Sequence, residues 1–142
     1  MPVRTADAQW EGSLEDGKGT MRFGSGAFEG SYSFSSRMEE GPGTNPEELI
    51  AAAHAGCYSM ALAAGLSREG HVPDSVHTTA RVRFDKLESG FGITKIELDC
   101  EARVPGVEEA RFQEVAEATR TGCPVSTALA AVDISLTARL VA

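Results

Sequence analysis

The sequence is poor in basic residues and in long apolar runs, and both shortages exclude classes of protein. Its 142 residues include 13 Lys and Arg against 21 Asp and Glu, a net charge of −8. An acidic chain argues against nucleic-acid and anionic-membrane partners, because both bind a basic patch. No apolar run approaches the ~18 residues of a membrane span, and the N-terminus lacks the apolar stretch of a signal peptide. We therefore expect one cytoplasmic domain, residues 1–142, that binds neither nucleic acid nor membrane.

Cysteine is also scarce, with three residues in the chain. There is no C-x-x-C motif, and no Cys/His spacing suits a zinc site. Three cysteines in a cytoplasmic chain do not form a disulfide framework. The thiols are therefore structural, reactive, or both, and we expect no metal site.

The segments that are present predict an α+β fold. A meander of short strands comes first, then a loop, a long helix, two strands, two helices and a closing strand. We place these at Ala8–Ser13, Gly19–Phe23, Ala27–Phe34, the loop Ser35–Thr44, a helix ending near Ser67–Gly70, Ser75–Leu87, Phe91–Val104, Val107–Thr121, a short helix to about Ala130, and Val132–Val141. Such segregated strands and helices favour antiparallel sheet wrapped on a central helix.

The long helix has clear sequence signals at both ends. Asn45 is a good N-cap, Pro46 suits the first helical position, and Glu48 completes a capping-box pattern. Gly70 is a suitable C-terminal stop. Between them the helix is apolar nearly all round, which predicts burial on all sides.

Cys57 lies about three turns into this helix, and two roles are open for it. It is either a small hydrophobe in a core or a reactive thiol. A thiol buried in apolar surroundings has a raised pKa and does not react. A reactive Cys57 therefore needs a fixed positive charge.

Cys123 has the stronger local argument for reactivity. If Pro124 occupies the first turn of a helix, Cys123 is the N-cap and its sulfur meets unpaired N–H groups. The alternative is a partly exposed cysteine in a turn. Cys100 lies on the apolar face of a strand, and we expect it to be structural.

Three further residues near the helix have both a structural and a functional interpretation. Arg37 is either a solvated loop residue or the cation that Cys57 needs. The other nearby cation, Arg68, lies at the far end of the helix, where it suits stabilisation of the helix dipole. Glu47 is either an acid at the helix N-terminus or the acceptor that holds an arginine in place. His54, one turn before Cys57, is either a base for the thiol or a buried, hydrogen-bonded histidine.

Two segments together resemble the OsmC/Ohr family of thiol-dependent peroxidases, its OsmC branch above all. The first runs from Ser31 to Arg37 and then from Gly41 to Cys57, and the second is Cys123-Pro124-Val125-Ser126. The resemblance extends over essentially the whole chain. Paired motifs at this separation are far more specific than either cysteine alone.

The resemblance implies a role for each motif residue. Cys57 matches the peroxidatic cysteine, Cys123 the resolving cysteine, Arg37 the arginine that activates the thiolate, and Glu47 the acid that orients this arginine. The implied fold is an intertwined homodimer with two buried helices enclosed by sheets and active sites at the interface. The implied chemistry reduces organic hydroperoxides, uses no cofactor, and is recycled by a dithiol reductant of lipoyl or thioredoxin type.

Helix geometry adds a hypothesis about which chain supplies Arg37. Glu47 and Cys57 are separated by about 15 Å along a straight helix, so one arginine would be stretched to touch both. Either the helix is irregular between them, or the Arg37–Glu47 pair serving one Cys57 comes at least partly from the other subunit.

Two other functions fit the outline of the chain. A long helix wrapped by antiparallel strands also describes hot-dog thioesterases and acyl-binding modules, which use a carboxylate near the helix start, here Glu47 or Glu48. A ligand-binding protein that kept the fold is the third interpretation. The presence of both cysteines, Arg37 and Glu47 argues against it.

Overall fold

Six strands and four helices make up the computed structural model, which describes every residue from Met1 to Ala142. In chain order they are β1 (Ala6–Glu11), β2 (Lys18–Phe23), β3 (Glu29–Tyr32), α1 (Phe34–Met38), α2 (Pro46–Arg68), β4 (Ser75–Leu87), β5 (Gly90–Arg103), α3 (Glu109–Gly122), α4 (Pro124–Ala128) and β6 (Asp133–Leu140). The α+β prediction is confirmed. The chain divides into two compact units, Met1–Leu49 and Ile50–Ala142. A single domain over the whole chain stays a prediction.

The first unit contains the predicted meander and one helix that the sequence did not reveal. Strands β1, β2 and β3 pair antiparallel in that order. The expectation of a loop after β3 is wrong over α1. This helix is nucleated by a reciprocal cap, in which Ser33 Oγ accepts from the Ser36 amide and Ser36 Oγ accepts from the Ser33 amide. A five-residue helix is too short to produce an apolar periodicity, which is why the pattern did not predict it.

The N-cap and the C-terminal stop of α2 agree with the sequence signals. Asn45 Oδ1 accepts from the Glu48 amide at 2.7 Å, which confirms the N-cap. The Glu48 carboxylate accepts from Thr44 Oγ1 at 2.9 Å. At the other end Gly70 adopts a φ of 87°, and the His71 amide donates to the Leu66 carbonyl. The helix therefore ends in the left-handed turn that glycine favours.

Within one chain, α2 buries one face only. The buried side chains recur every fourth residue, at His54, Tyr58, Leu62 and Leu66. The opposite face is exposed at Ala52, Ala53, Gly56, Met60 and Ala64. The prediction of burial on all sides is therefore not met by a single chain.

By length and composition alone, α2 could cross a membrane. This corrects the expectation that no apolar segment of the chain is long enough. The core helix of a soluble protein passes the same test, so the property is weak evidence for a membrane.

The second unit contains a long hairpin and one unexpected parallel strand pair. Strands β4 and β5 pair antiparallel from Ser75↔Arg103 to Leu87↔Gly90, as predicted. Strand β6 pairs parallel with β5, so the expectation of a wholly antiparallel sheet is wrong here. The physical reason is the connection between the two strands. Helices α3 and α4 form a crossover that returns the chain to the end of the sheet at which β5 begins, so β6 runs in the same direction as β5.

The core of the second unit lies between β5 and the helices. Its buried side chains come from alternate positions of β5 and from the inward faces of α2 and α3: Tyr58, Leu62, Leu66, Ile96, Leu98, Cys100, Ala102, Phe112, Val115 and Ala116. The predicted alternation of apolar and charged residues in β5 is thereby confirmed.

Candidate active site

In the first unit, Arg37 and Glu47 form a two-point ion pair. Arg37 Nε donates to Glu47 Oε1 at 3.0 Å, and Nη2 donates to Oε2 at 2.9 Å. The side chain of Glu47 is 9% exposed and that of Arg37 is 36% exposed. A buried carboxylate that accepts both bonds of a planar guanidinium holds it in one orientation. These bonds agree with the predicted role of Glu47 as the acceptor that holds an arginine in place.

The position of Arg37 follows from hydrogen bonds of its neighbour Ser36. Ser36 Oγ donates to the Thr44 carbonyl at 2.7 Å, and Asn45 Nδ2 donates to the Ser36 carbonyl at 3.0 Å. These bonds fasten α1 to the residues that cap α2. They place the Arg37 side chain within reach of Glu47, on the first turn of α2.

In the second unit, Cys57 and Cys123 are free thiols close enough for each to shift the pKa of the other. Cys57 is on α2, and Cys123 lies between α3 and α4. The Val125 amide, near the start of α4, acts to lower the pKa of both thiols. Cys123 is the N-cap of α4 and accepts from the Ser126 amide at 3.4 Å, as the sequence predicted.

The two thiols differ in the direction of their pKa shifts. Burial raises the pKa of Cys57, and the neighbouring Cys123 adds to the rise, against the Val125 amide. Burial also favours the neutral form of Cys123. Its hydrogen bonds with the side chain and the amide of Ser126, with smaller contributions from Cys57 and Val125, outweigh burial and lower the pKa of Cys123. Within one chain, Cys123 is therefore the more readily ionised thiol, as the local sequence indicated.

His54 and Ser126 form a buried pair beside Cys123. His54 Nε2 lies 2.7 Å from Ser126 Oγ, and Cys123 Sγ donates to the same oxygen at 3.3 Å. The interpretation of His54 as a buried, hydrogen-bonded histidine is confirmed. Ser126 was missed as a site residue, although its place three residues after the N-cap was the signal that could have found it.

The structure thus brings the predicted residues together in two pairs, Arg37 with Glu47 and Cys57 with Cys123. The first pair belongs to the unit Met1–Leu49 and the second to Ile50–Ala142. Cys100 is fully buried in the core, and burial raises the pKa of its thiol, in agreement with a structural role. No group of three or more His, Cys, Asp or Glu side chains is arranged to hold a metal ion.

Sequence comparison decides the family. The model of the OsmC-like protein family matches residues 39–137, which include Glu47 and both cysteines of the site. The chain belongs to the OsmC-like family. The expected resemblance is thereby confirmed over most of the chain.

Relatives of both branches match this OsmC-like chain. It is 46% identical over 129 residues to peroxiredoxin OsmC of Escherichia coli, with 90% of each chain covered. It is 32% identical over 99 residues to an organic hydroperoxide resistance protein of Xanthomonas axonopodis, with 68% of each covered. The higher identity and coverage lie with the OsmC branch, as the motifs predicted.

Solved structures confirm the OsmC-like fold. A Legionella pneumophila structure described as an organic hydroperoxide resistance protein OsmC superposes with a TM-score of 0.74. It covers 99% of this chain and 100% of its own, at 24% identity. The hot-dog interpretation is not favoured, because the fold is OsmC-like and both carboxylate oxygens of Glu47 are bound by Arg37.

Proposed function

We propose that this protein reduces organic hydroperoxides to alcohols through a Cys57 sulfenic acid and a Cys57–Cys123 disulfide. A thiol-dependent peroxidase role follows from its family and from relatives named as a peroxiredoxin and an organic hydroperoxide resistance protein. The observation that carries the finer proposal is that the two free thiols are neighbours, with Cys57 packed against the core cluster that contains Cys123. Neighbouring thiols need only a small movement of the chain to reach disulfide geometry.

The proposed cycle has three balanced steps. The Cys57 thiolate attacks the distal oxygen of ROOH, the O–O bond breaks, and the alcohol leaves after taking up one proton, which leaves Cys57 as a sulfenic acid. The Cys123 thiol then displaces the hydroxyl group of that acid, which forms the disulfide and one water. Finally a dithiol reduces the disulfide by exchange and becomes a disulfide itself.

Cys57 needs a cation for the first step, because burial raises its pKa. An unperturbed thiol of pKa about 8.5 is only about 3% thiolate at pH 7, and a raised pKa reduces that fraction further. Arg37, held by Glu47, is the cation proposed for this role. The span of α2 as one helix from Pro46 to Arg68 supports the second of the two alternatives, a contribution from the other subunit. The proposal is therefore that the Arg37–Glu47 pair of one subunit serves Cys57 of the other.

A homodimer is part of the proposal. The exposed face of α2 carries Ala53, Gly56, Met60 and Ala64, and Met60 is 76% exposed. Small residues on one helix face allow a second helix to approach closely, and burial of Met60 removes a large apolar side chain from water. A second copy of α2 against this face would complete the all-round burial that its sequence predicts.

The remaining partners follow from the chemistry. The substrate is an organic hydroperoxide, and the reductant is a dithiol of lipoyl or thioredoxin type. We place the protein in the cytoplasm, where thiols are kept reduced.

The test is thiol counting after one equivalent of cumene hydroperoxide under non-reducing conditions. The wild type is expected to lose two thiols and two mass units within seconds, with a Cys57–Cys123 link in the peptide map. Cys57→Ser is expected to leave the peroxide unconsumed. Cys123→Ser is expected to consume one equivalent and to hold Cys57 as a sulfenic acid that dimedone traps.

Cys100→Ala is the matched control, because Cys100 is the remaining thiol and lies in the core. It is expected to react like the wild type. A Cys57→Ser variant that still consumes peroxide, or a wild type whose thiols survive it, contradicts the proposal.

A further inference from the structure

Cys123, Ser126 and His54 form a continuous hydrogen-bond chain in the interior of the second unit. Cys123 Sγ donates to Ser126 Oγ at 3.3 Å, and Ser126 Oγ lies 2.7 Å from His54 Nε2. The exposed fractions are 1% for Cys123, 2% for Ser126 and 0% for His54. Water therefore does not reach these hydrogen bonds from the side of His54. A proton that leaves this sulfur has a defined route to one acceptor.

The imidazole is not explained by packing alone. His54 Nδ1 is buried and has no hydrogen-bond partner, which costs free energy that an apolar side chain would not. The neighbouring buried positions on the same face of α2 are Tyr58, Leu62 and Leu66. A leucine at position 54 would continue this face without an unpaired nitrogen. A histidine at this position therefore indicates a use for the imidazole beyond packing.

The protonation state of His54 suits an acceptor. Burial lowers the pKa of His54, so the ring is neutral near pH 7. With the proton on Nδ1, Nε2 accepts from the Ser126 hydroxyl while that hydroxyl accepts from the thiol. All hydrogen bonds of the chain then run from sulfur toward the imidazole.

We propose that Ser126 and His54 form a proton relay that activates Cys123 for its attack on the oxidised Cys57. This inference rests on the proposed function, in which Cys123 is the resolving thiol. Ser126 contacts the reacting sulfur and passes the proton. His54 acts through Ser126 as the proton acceptor.

The relay balances the resolving step. The thiol proton of Cys123 moves to Ser126 Oγ as the serine proton moves to His54 Nε2. The Cys123 sulfur attacks Cys57 Sγ, the S–S bond forms, and the S–O bond of the sulfenic acid breaks. The leaving hydroxide takes up the proton held by His54, passed back through Ser126 Oγ, and becomes water, so no proton is gained or lost overall.

The geometry favours Cys123 over Cys57 as the thiol that His54 serves. The neighbouring groups that shift the pKa of Cys57 are the Val125 amide and Cys123. The Nε2 of His54 is directed instead at Ser126, whose side chain and amide both bind the Cys123 sulfur. His54 should therefore affect disulfide formation and leave sulfenic acid formation unchanged.

The test measures sulfenic acid formation and disulfide formation separately, by rapid-quench mass spectrometry with cumene hydroperoxide and dimedone. His54→Gln keeps a hydrogen-bonding amide close to the position of Nε2 but accepts no proton. Loss of a general base typically slows a step by about 10²-fold or more. We expect His54→Gln to slow disulfide formation at least about tenfold, to leave sulfenic acid formation within about twofold of the wild type, and to accumulate a dimedone adduct at Cys57.

Two variants of Ser126 extend the test if His54→Gln folds poorly. Ser126→Ala breaks the relay and is expected to slow the same step, whereas Ser126→Thr retains the hydroxyl and restores most of the rate. The double variant should be no slower than Ser126→Ala alone, because the two residues act in series.

The matched control is Ser59→Ala. Ser59 also lies on α2 and also makes a 2.7 Å bond to a hydroxyl, Thr78 Oγ1, outside the relay. It should leave both steps unchanged. Unaltered disulfide formation in His54→Gln and Ser126→Ala, or equal slowing of both steps, overturns the relay. A wild type that forms no sulfenic acid overturns the proposed function instead.

Discussion

Cys57 and Cys123 are neighbours, yet their immediate surroundings shift the two thiol pKa values in opposite directions. Cys123 receives the hydrogen bonds of a helix start, whereas Cys57 is a helix-interior thiol with one amide contact. Within one chain these contacts favour the thiolate at Cys123. A peroxidatic Cys57 therefore depends on a positive charge brought to it, and the two-point Arg37–Glu47 pair is the cation that the proposed function assigns to this role.

Tyr58 allows a prediction about stability at alkaline pH. Its hydroxyl is buried and donates to the Ala116 carbonyl at 2.9 Å. Burial, followed by the charges of Cys100, Glu117 and Cys123, raises the pKa of Tyr58 far above its ordinary value. A tyrosine whose folded pKa is raised stabilises fully below its unfolded pKa of about 10, and this stability is lost as pH rises beyond it.

We expect Tyr58→Phe to lower the free energy of unfolding at pH 7 by about 0.5–1.5 kcal/mol, because one hydrogen bond is lost. Above pH 10 the variant should lose stability less steeply than the wild type, by up to about 1.4 kcal/mol per pH unit. Urea unfolding at pH 7, 9 and 10.5 measures both effects. Parallel pH curves for the two proteins would contradict the assignment.

At the scale of elements, the turn that leads into α2 depends on a close backbone approach at Gly43. Gly43 has a φ of 114°, and a Cβ there would lie 2.6 Å from the Ser31 carbonyl oxygen. The next residue, Thr44, donates its amide to the same carbonyl and bridges Tyr32 of β3. This turn therefore couples the meander to the start of the helix that carries Glu47.

Gly43→Ala should destabilise the protein more than Gly26→Ala. Gly26 also has a positive φ, 80°, but a Cβ there meets no atom within 4 Å. Alanine at Gly26 should cost about 1–2 kcal/mol of backbone strain, and alanine at Gly43 that amount plus the steric conflict. The difference between the two variants in urea unfolding measures the steric conflict at Gly43. Equal destabilisation would show that the turn relaxes without cost.

At the scale of the whole molecule, the proposed dimer makes a prediction about mixed subunits. Co-expressed Arg37→Ala and Cys57→Ser chains with different tags would give a purifiable heterodimer. If Arg37 serves the Cys57 of the other subunit, one of the two sites of the heterodimer contains both intact residues. About half of wild-type peroxidase activity should then return. Each homodimeric variant should be nearly inactive.

An inactive heterodimer would show that Arg37 and Cys57 act within one chain. The pairing of both variants in the purified sample is checked by intact mass spectrometry. A wild-type protein that elutes as a monomer in size-exclusion chromatography with light scattering would contradict the dimer itself.

Local sequence was sufficient for features whose cause is local. The cap at Asn45, the stop at Gly70, the hairpin of β4 and β5, and the N-cap thiol Cys123 each depend on residues close in sequence. The motifs also identified the OsmC-like family, because paired cysteine segments at a set separation are specific. Helix α1 is the exception among the local features, since five residues are too few for a periodic pattern.

Tertiary structure decided what depends on contacts between distant residues. The parallel pairing of β6 with β5 needed the crossover through α3 and α4, which no strand pattern encodes. The chain from Cys123 through Ser126 to His54 joins residues 72 positions apart. The burial of one face of α2 alone also emerged only in three dimensions. Sequence thus determined the elements and the reactive residue types, whereas packing determined which of them meet, because contact depends on the path of the whole chain.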